Sequence, residues 1–153
     1  MPRWVKVAVD DIASYQAGAI VRALQTAAKN DTQGDPIAAA IEAQTLFIRA
    51  QIASGNFAVD RDAEKIPAEL KPHAIALIAE YAKNRLPSLS VSETETRLAD
   101  AARSLLAKIA EGKIKPSPPE DPEAADTAVQ SSSGAKLVRP GRAAPKREDY
   151  SGL

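Results

Sequence analysis

The chain contains no cysteine. That excludes a disulfide framework, a thiolate nucleophile and a cysteine-ligated zinc site. Aromatic residues are limited to Trp4, Tyr15, Phe47, Phe57, Tyr81 and Tyr150, and His73 is the single histidine. Twenty Lys and Arg balance 20 Asp and Glu, so formal net charge is zero. A balanced chain lacks the general electrostatic attraction that draws proteins to nucleic acid or anionic membranes. No apolar run approaches the roughly 20 residues needed to span a bilayer. Met1 to Asp11 has neither the apolar region nor the cleavage site of a secretory leader. The expected place of synthesis is a cytoplasm, with no membrane partner.

What the chain does have is alanine and length for one modest domain, at 153 residues. Alanine favours helix but contributes little buried area. Only the first two-thirds of the sequence has the composition of a core. The expectation is a thin core that gains stability from neighbouring subunits or partners.

Trp4 to Val9 alternates in part and reads as extended. Asp10 or Asp11 offers an N-cap for a helix through about Lys29, with Ile12, Tyr15, Ile20 and Leu24 at helical spacing. Asn30 to Gly34 is a loop of turn formers. Asp35-Pro36 starts a second helix, a capping carboxylate followed by proline in the first turn. Its expected stripe is Ile37, Ile41, Phe47, Ile48 and Ile52. Gly55 is expected to close it in the left-handed conformation. Asn56 to Lys65 reads as a charged loop with room for a short strand.

Ile66-Pro67 opens a third helical region, with Leu70, Ala74, Leu77, Ile78 and Tyr81 on one face. Pro72 requires either a separate preceding turn or a place in the first turn of the main helix. Pro87 ends it. Ser92-Glu93-Thr94-Glu95 is a capping box. Leu98, Ala102, Leu105 and Ile109 form the expected stripe of the last helix, with Leu106 beside it. Gly112 ends that helix, and Lys108 and Lys113 sit at the negative end of its dipole.

The predicted fold class is all-α: a small bundle of about four helices over residues 1–115, with a long extended C-terminal tail over 116–153. The tail contributes little to the core in this reading. Pro116, Pro118, Pro119 and Pro122 exclude regular helix at its start. Glu120, Asp121, Glu123 and Asp126 make its first part acidic. Ser131 to Gly134 is a flexible spacer. Lys136, Arg139, Arg142, Lys146 and Arg147 make the last part basic. Such a segment buries too little to order itself alone. Its candidate partner-binding residues are Leu137, Val138, Arg139, Arg142, Lys146, Arg147, Tyr150 and Leu153. Leu137-Val138 has the character of a strand that adds to a sheet edge, and Tyr150 to Leu153 that of a terminal anchor.

No constellation points to catalysis. His73 lacks a partner set and reads as a surface or capping residue. Asp60, Asp62 and Glu64 alternate as calcium ligands do, but lack the glycine and terminal glutamate of an EF-hand, and read as a solvated loop. There is no phosphate-cradling glycine loop and no nucleophile elbow. The chain is expected to be no enzyme and to carry no cofactor or metal.

Three stretches of the helical part stand in a distinctive order. Ala38-Ala39-Ala40-Ile41-Glu42-Ala43 leads through Ile52-Ala53-Ser54-Gly55-Asn56-Phe57. Ile66-Pro67-Ala68-Glu69-Leu70 leads to Ile78-Ala79-Glu80-Tyr81. Leu105 to Gly112-Lys113-Ile114 closes the series. In this order and spacing, Asp35 to Pro116 resembles the head-tail connector (adaptor, or head-completion) proteins of tailed phages, the Mu-like version especially. The middle loop is more charged than in that family, and the long tail is not part of its core pattern.

The resemblance implies a structural protein of the virion neck, made in the host cytoplasm. It implies a homo-oligomeric ring, usually dodecameric, between the portal protein and the tail or neck proteins. DNA would pass through the ring without sequence-specific binding. The C-terminal segment would reach the portal or a neighbouring subunit. The alternative reading of the residues is a small cytosolic helical nucleic-acid-binding or regulatory protein that uses the basic tail.

Overall fold

A computed structural model describes residues 1–15, 21–23, 25–26, 34–85 and 89–123. The chain is mainly helical, and it adds a two-stranded sheet to the expected helices. Strand β1 (Trp4–Lys6) leads into α1 (Val9–Tyr15), and residues 21–23 and 25–26 are helical too. Helix α2 (Pro36–Ser54) follows. Strand β2 (Lys65–Pro67) and a 3-10 turn (Ala68–Leu70) then lead into α3 (Lys71–Asn84), and α4 (Glu93–Ala110) comes last. The remainder of the first expected helix, to Lys29, lies outside the described residues.

Local chemistry explains most of the boundaries. The Asp35 carboxylate accepts from the Ile37 N–H, and Pro36 occupies the first turn of α2. Ser92 and Glu95 form a complete capping box on α4. Asp10 and Asp11 do not cap α1 as expected. Both lie in its first turn, and Asp11 reaches back to accept from the Ala8 N–H, the return bond of a capping box. Pro72 satisfies both alternatives for it: a separate 3-10 turn precedes α3, and Pro72 sits in the first turn of the helix.

Ile66-Pro67 does not open a helix. It forms the centre and end of β2, antiparallel to β1 with Val5 opposite Ile66 and Trp4 opposite Pro67. Proline fits there because its position in the ladder needs no donor. The Ala68 N–H donates to the Arg3 carbonyl, so hydrogen-bonded pairs fall at Arg3–Ala68 and Val5–Ile66. Trp4–Pro67 is then a non-hydrogen-bonded pair.

Two helices end on the same motif. At α4, the Gly112 N–H reaches the Ile109 carbonyl and the Lys113 N–H reaches that of Lys108, with Gly112 at φ +73°. That is the left-handed glycine expected there. At α2 the left-handed residue is Asn56, at φ 60°, not Gly55 at φ −76°. The Asn56 N–H reaches Ala53 and the Phe57 N–H reaches Ile52. Gly55 answers a different need. A Cβ built on it would lie 2.3 Å from the Ile109 carbonyl oxygen and 2.9 Å from the Phe57 ring. The C-terminal ends of α2 and α4 touch there, and only a hydrogen fits between them.

Helix α3 is the centre of the domain, packed on α1, α2 and α4. Ala74, Leu77, Ile78 and Ala82 are buried in it, against Ile37, Ile48 and Ile52 of α2. The face of α4 is rotated from the expected one: Ala99, Ala102, Leu106 and Ile109 are buried, Leu105 is half-buried, and Leu98 is 44% exposed. Alanines at the contact let helices approach closely, and the bulkier Leu98 turns outward. Tyr15, Phe47 and Tyr81, expected on apolar stripes, are also exposed. Polar groups in this packing are paired, Lys83 with Glu95 at 2.6 Å and Glu80 with Arg103. Among the described residues, no buried side-chain nitrogen or oxygen lacks a partner.

Candidate functional site

The densest polar arrangement is built around Arg49, a 9% exposed residue of α2. Its guanidinium donates to three carbonyls: Asp60 at 2.6 Å, Asp62 at 3.0 Å and Lys65 at 3.0 Å. Guanidinium suits this task because its fan of fixed donors meets several acceptors at once. The loop 57–65 is thereby folded onto α2, and the outer edge of β2 is capped at Lys65. The same guanidinium lies 5.9 Å from the Trp4 ring centroid. Trp4 is 2% exposed.

The acidic residues of this loop are internal braces. Asp60, expected in a solvated loop, is buried, and its carboxylate accepts from the Asp62 N–H. Asp62 accepts from the Glu64 N–H and pairs with Lys6 at 3.2 Å. That backbone bond, with the Lys6 ammonium beside it, holds the Asp62 carboxyl below its ordinary range. Glu64 and Asp62 together raise the Lys6 ammonium. No group of three His, Cys, Asp or Glu residues placed to hold a metal ion occurs among the described residues. His73 is half-buried on α3 and has no ion pair or hydrogen bond to a described residue.

The chain does not leave the domain after α4. Pro116 is buried, and residues 116–123 run as a strap from the Trp4–Pro67 end of the sheet to the loop at 59–61. The Trp4 indole N–H donates to the Ser117 carbonyl at 2.9 Å. The Ser117 N–H donates to the Glu69 carboxylate, and the Arg3 N–H to that of Glu120. Further on, Arg61 N–H reaches Asp121 and Glu123 N–H reaches Val59, with Asp60 opposite Pro122. The strap therefore pairs antiparallel with residues 59–61. Prolines suit it, because an extended segment with one bonded edge can spare their missing donors. These eight residues, read from the sequence as the start of the tail, pack as part of the domain.

A groove of about 710 Å3 opens beside β1. Val7, Ala8 and Val9 form one side, and Ile41 and Leu46 of α2 another. Glu42 and Glu64 supply its carboxylates. Leu46 is 54% exposed. No helix among the described residues is long and apolar enough to cross a membrane.

The candidate tail residues Leu137, Val138, Arg139, Arg142, Lys146, Arg147, Tyr150 and Leu153 lie outside the described residues. The structure thus brings together a set that sequence reading missed: Trp4, Arg49, loop 57–65 and the strap. A lone arginine among alanines and isoleucines in α2 was the available signal, since a charge on a buried stripe needs partners. Comparison with protein-family models, with curated proteins and with solved structures found no match for this chain.

Proposed function

We propose that this protein is a structural adaptor of a tailed-phage neck, assembling as a ring between the portal and the tail or neck proteins. The observation that carries the reading is the outward display of large apolar side chains on three helices. Leu46 and Phe47 of α2, Tyr81 of α3 and Leu98 of α4 are each more than a third exposed. Exposed apolar residues scattered singly are ordinary on a protein surface; in the adaptor reading these four are the contacts with copies on either side. The order of helices and glycine turns, similar to the connector family, supplies the kind of assembly. The domain, strap included, is the ring-forming platform. The segment 124–153, with Arg139, Arg142, Lys146 and Arg147, is the arm that engages the portal or an adjacent subunit.

The test is a pair of chains, full-length and ending at Glu123, mixed with portal rings and separated by sedimentation. The full chain is expected to co-sediment with the portal and the shortened chain to lose it, with helical circular dichroism unchanged. Equal binding by both chains would remove the arm from the account.

A further inference from the structure

The groove beside β1 holds more acid than base. Glu42 and Glu64 line it, with Lys6 as the cation of the lining. The Lys6 ammonium is already shared between Glu64 at 2.7 Å and Asp62 at 3.2 Å. Glu42 is exposed and has no ion pair among the described residues. Three carboxylates thus stand against one lysine. The rest of the lining includes Val7, Val9, Ile41 and Leu46. Such a groove suits an apolar side chain flanked by cations.

The same domain displays that group just beyond α4. Ile114 is 36% exposed, and Lys113 and Lys115 flank it. The Lys108 carbonyl accepts from both the Lys113 and the Ile114 N–H. On the other side the chain is anchored by the buried Pro116. Ile114 is therefore a fixed knob, and docking it orders no new backbone. Its charge mirrors that of the groove. Glu111 holds Lys113 at 2.6 Å, while Lys108 and Lys115 have no ion pair among the described residues. Three lysines stand against one carboxylate.

One copy cannot join its own knob to its own groove. The groove lies beside the first half of α2, from Ala38 to Leu46. The knob lies past the other end of α2, where Gly55 meets Ile109. From Glu42 to Gly55 is about 20 Å of helix. A second copy can supply the knob, and its own groove then stays open for a third. A contact between two different surfaces repeats head to tail, and it builds a ring where the rotation closes.

We propose that Ile114 of one copy, with Lys113 and Lys115 beside it, docks in the groove beside β1 of the next copy. Lys115 meets Glu42 there, and Ile114 packs on Ile41 and Leu46. The proposal rests on the adaptor reading for the closure of the ring, and on these two surfaces for the contact.

The absence of native cysteine makes disulfide trapping specific. Full-length chains carrying A38C, on the groove, are mixed with full-length chains carrying I114C and mildly oxidised. In the control, chains carrying A101C, on the exposed side of α4, replace those carrying A38C. All three positions are exposed, so the fold tolerates the changes. Heterodimers are expected to form about tenfold faster with A38C than with A101C, because docking holds the two thiols together. E42K on the A38C chain, or K115E on the I114C chain, is expected to remove that advantage. The two reversals together are expected to restore it, which a general surface effect would not do. Equal rates with A38C and A101C overturn the proposal, as does a failure of the paired reversals to restore the rate. A38C homodimers that form faster than heterodimers overturn it too, since the groove would then face its own copy. No portal enters the readout. Trapping without portal binding would remove the adaptor reading alone, and portal-bound rings without trapping would remove this contact alone.

Discussion

The Trp4 indole N–H donates to the Ser117 carbonyl, joining positions 113 residues apart in the chain. This bond ties the first strand to the strap that follows the last helix. It closes the domain at both ends of its sequence.

Trp4 is the only tryptophan, so its fluorescence reports this contact directly. Ending the chain at Lys115 removes the strap and uncovers the indole. Emission is expected to shift to the red, whereas ending at Glu123 leaves it unchanged. W4A is expected to cost about 3–5 kcal/mol in denaturant unfolding, the usual range for a buried large aromatic. W4F keeps most of the ring but orphans the Ser117 carbonyl, and is expected to cost about 1 kcal/mol beyond the change in packing.

Arg49 holds loop 57–65 by three carbonyls at once. R49M fills similar space but leaves those acceptors without donors. The expected loss is about 2–4 kcal/mol, as for removing one side of a buried charge-assisted network. R49K is expected to recover only part of it, because an ammonium lacks the planar fan of donors. Chemical denaturation of the three proteins checks the order.

The glycines separate two causes. G55A puts a methyl group against the Ile109 carbonyl, and is expected to destabilise by about 1–3 kcal/mol through overpacking where α2 meets α4. G112A meets no atom within 4 Å, but must hold φ +73°, at a cost of about 1–2 kcal/mol. N56G relaxes the left-handed residue of α2 and is expected to be neutral or mildly stabilising. Thermal unfolding of the three variants measures this.

These glycines also show what was legible in the sequence. Gly112 could be read because a left-handed stop leaves a local signature: a periodic helix, glycine, then a break. The caps at Asp35 and Ser92 were legible for the same reason, since each bond closes within three residues. Gly55 was placed correctly as a helix end and misread in its cause, because the contact that demands it comes from Ile109. The stripe of α4 was misplaced by one position, since size suggested Leu98 where close packing uses Ala99. Strand β2 has three residues and is held by Trp4 to Lys6, some sixty positions upstream. The strap has the composition of a tail and is ordered by partners that are remote in sequence. The Arg49 network and the groove are likewise assembled from distant segments, so no local pattern announced them.

Acid should weaken the fold. Burial alone would push the Glu95 carboxyl up, but bonds from the Lys83 ammonium and from the Ser92 N–H and hydroxyl outweigh it and hold it low. Asp11 is likewise lowered, with Lys71 and the Ala8 N–H outweighing burial. A carboxyl depressed in the folded state contributes stability that is complete above its unfolded value, about 4. The contribution is lost as pH falls through the lower folded value, because the unfolded chain takes up protons first. Unfolding free energy is therefore expected to decline below about pH 4. E95Q and D11N are expected to flatten that decline while lowering stability at neutral pH.

The proposed ring-forming adaptor should bind its portal in a fixed stoichiometry. Native mass spectrometry of the full chain mixed with assembled rings of the portal protein that the proposal pairs with it gives the number of copies bound. The expected result is a saturating complex with twelve copies per portal ring, and no intermediate that persists at excess chain. A portal ring that carries no copies at micromolar concentrations of correctly folded chain would contradict the account.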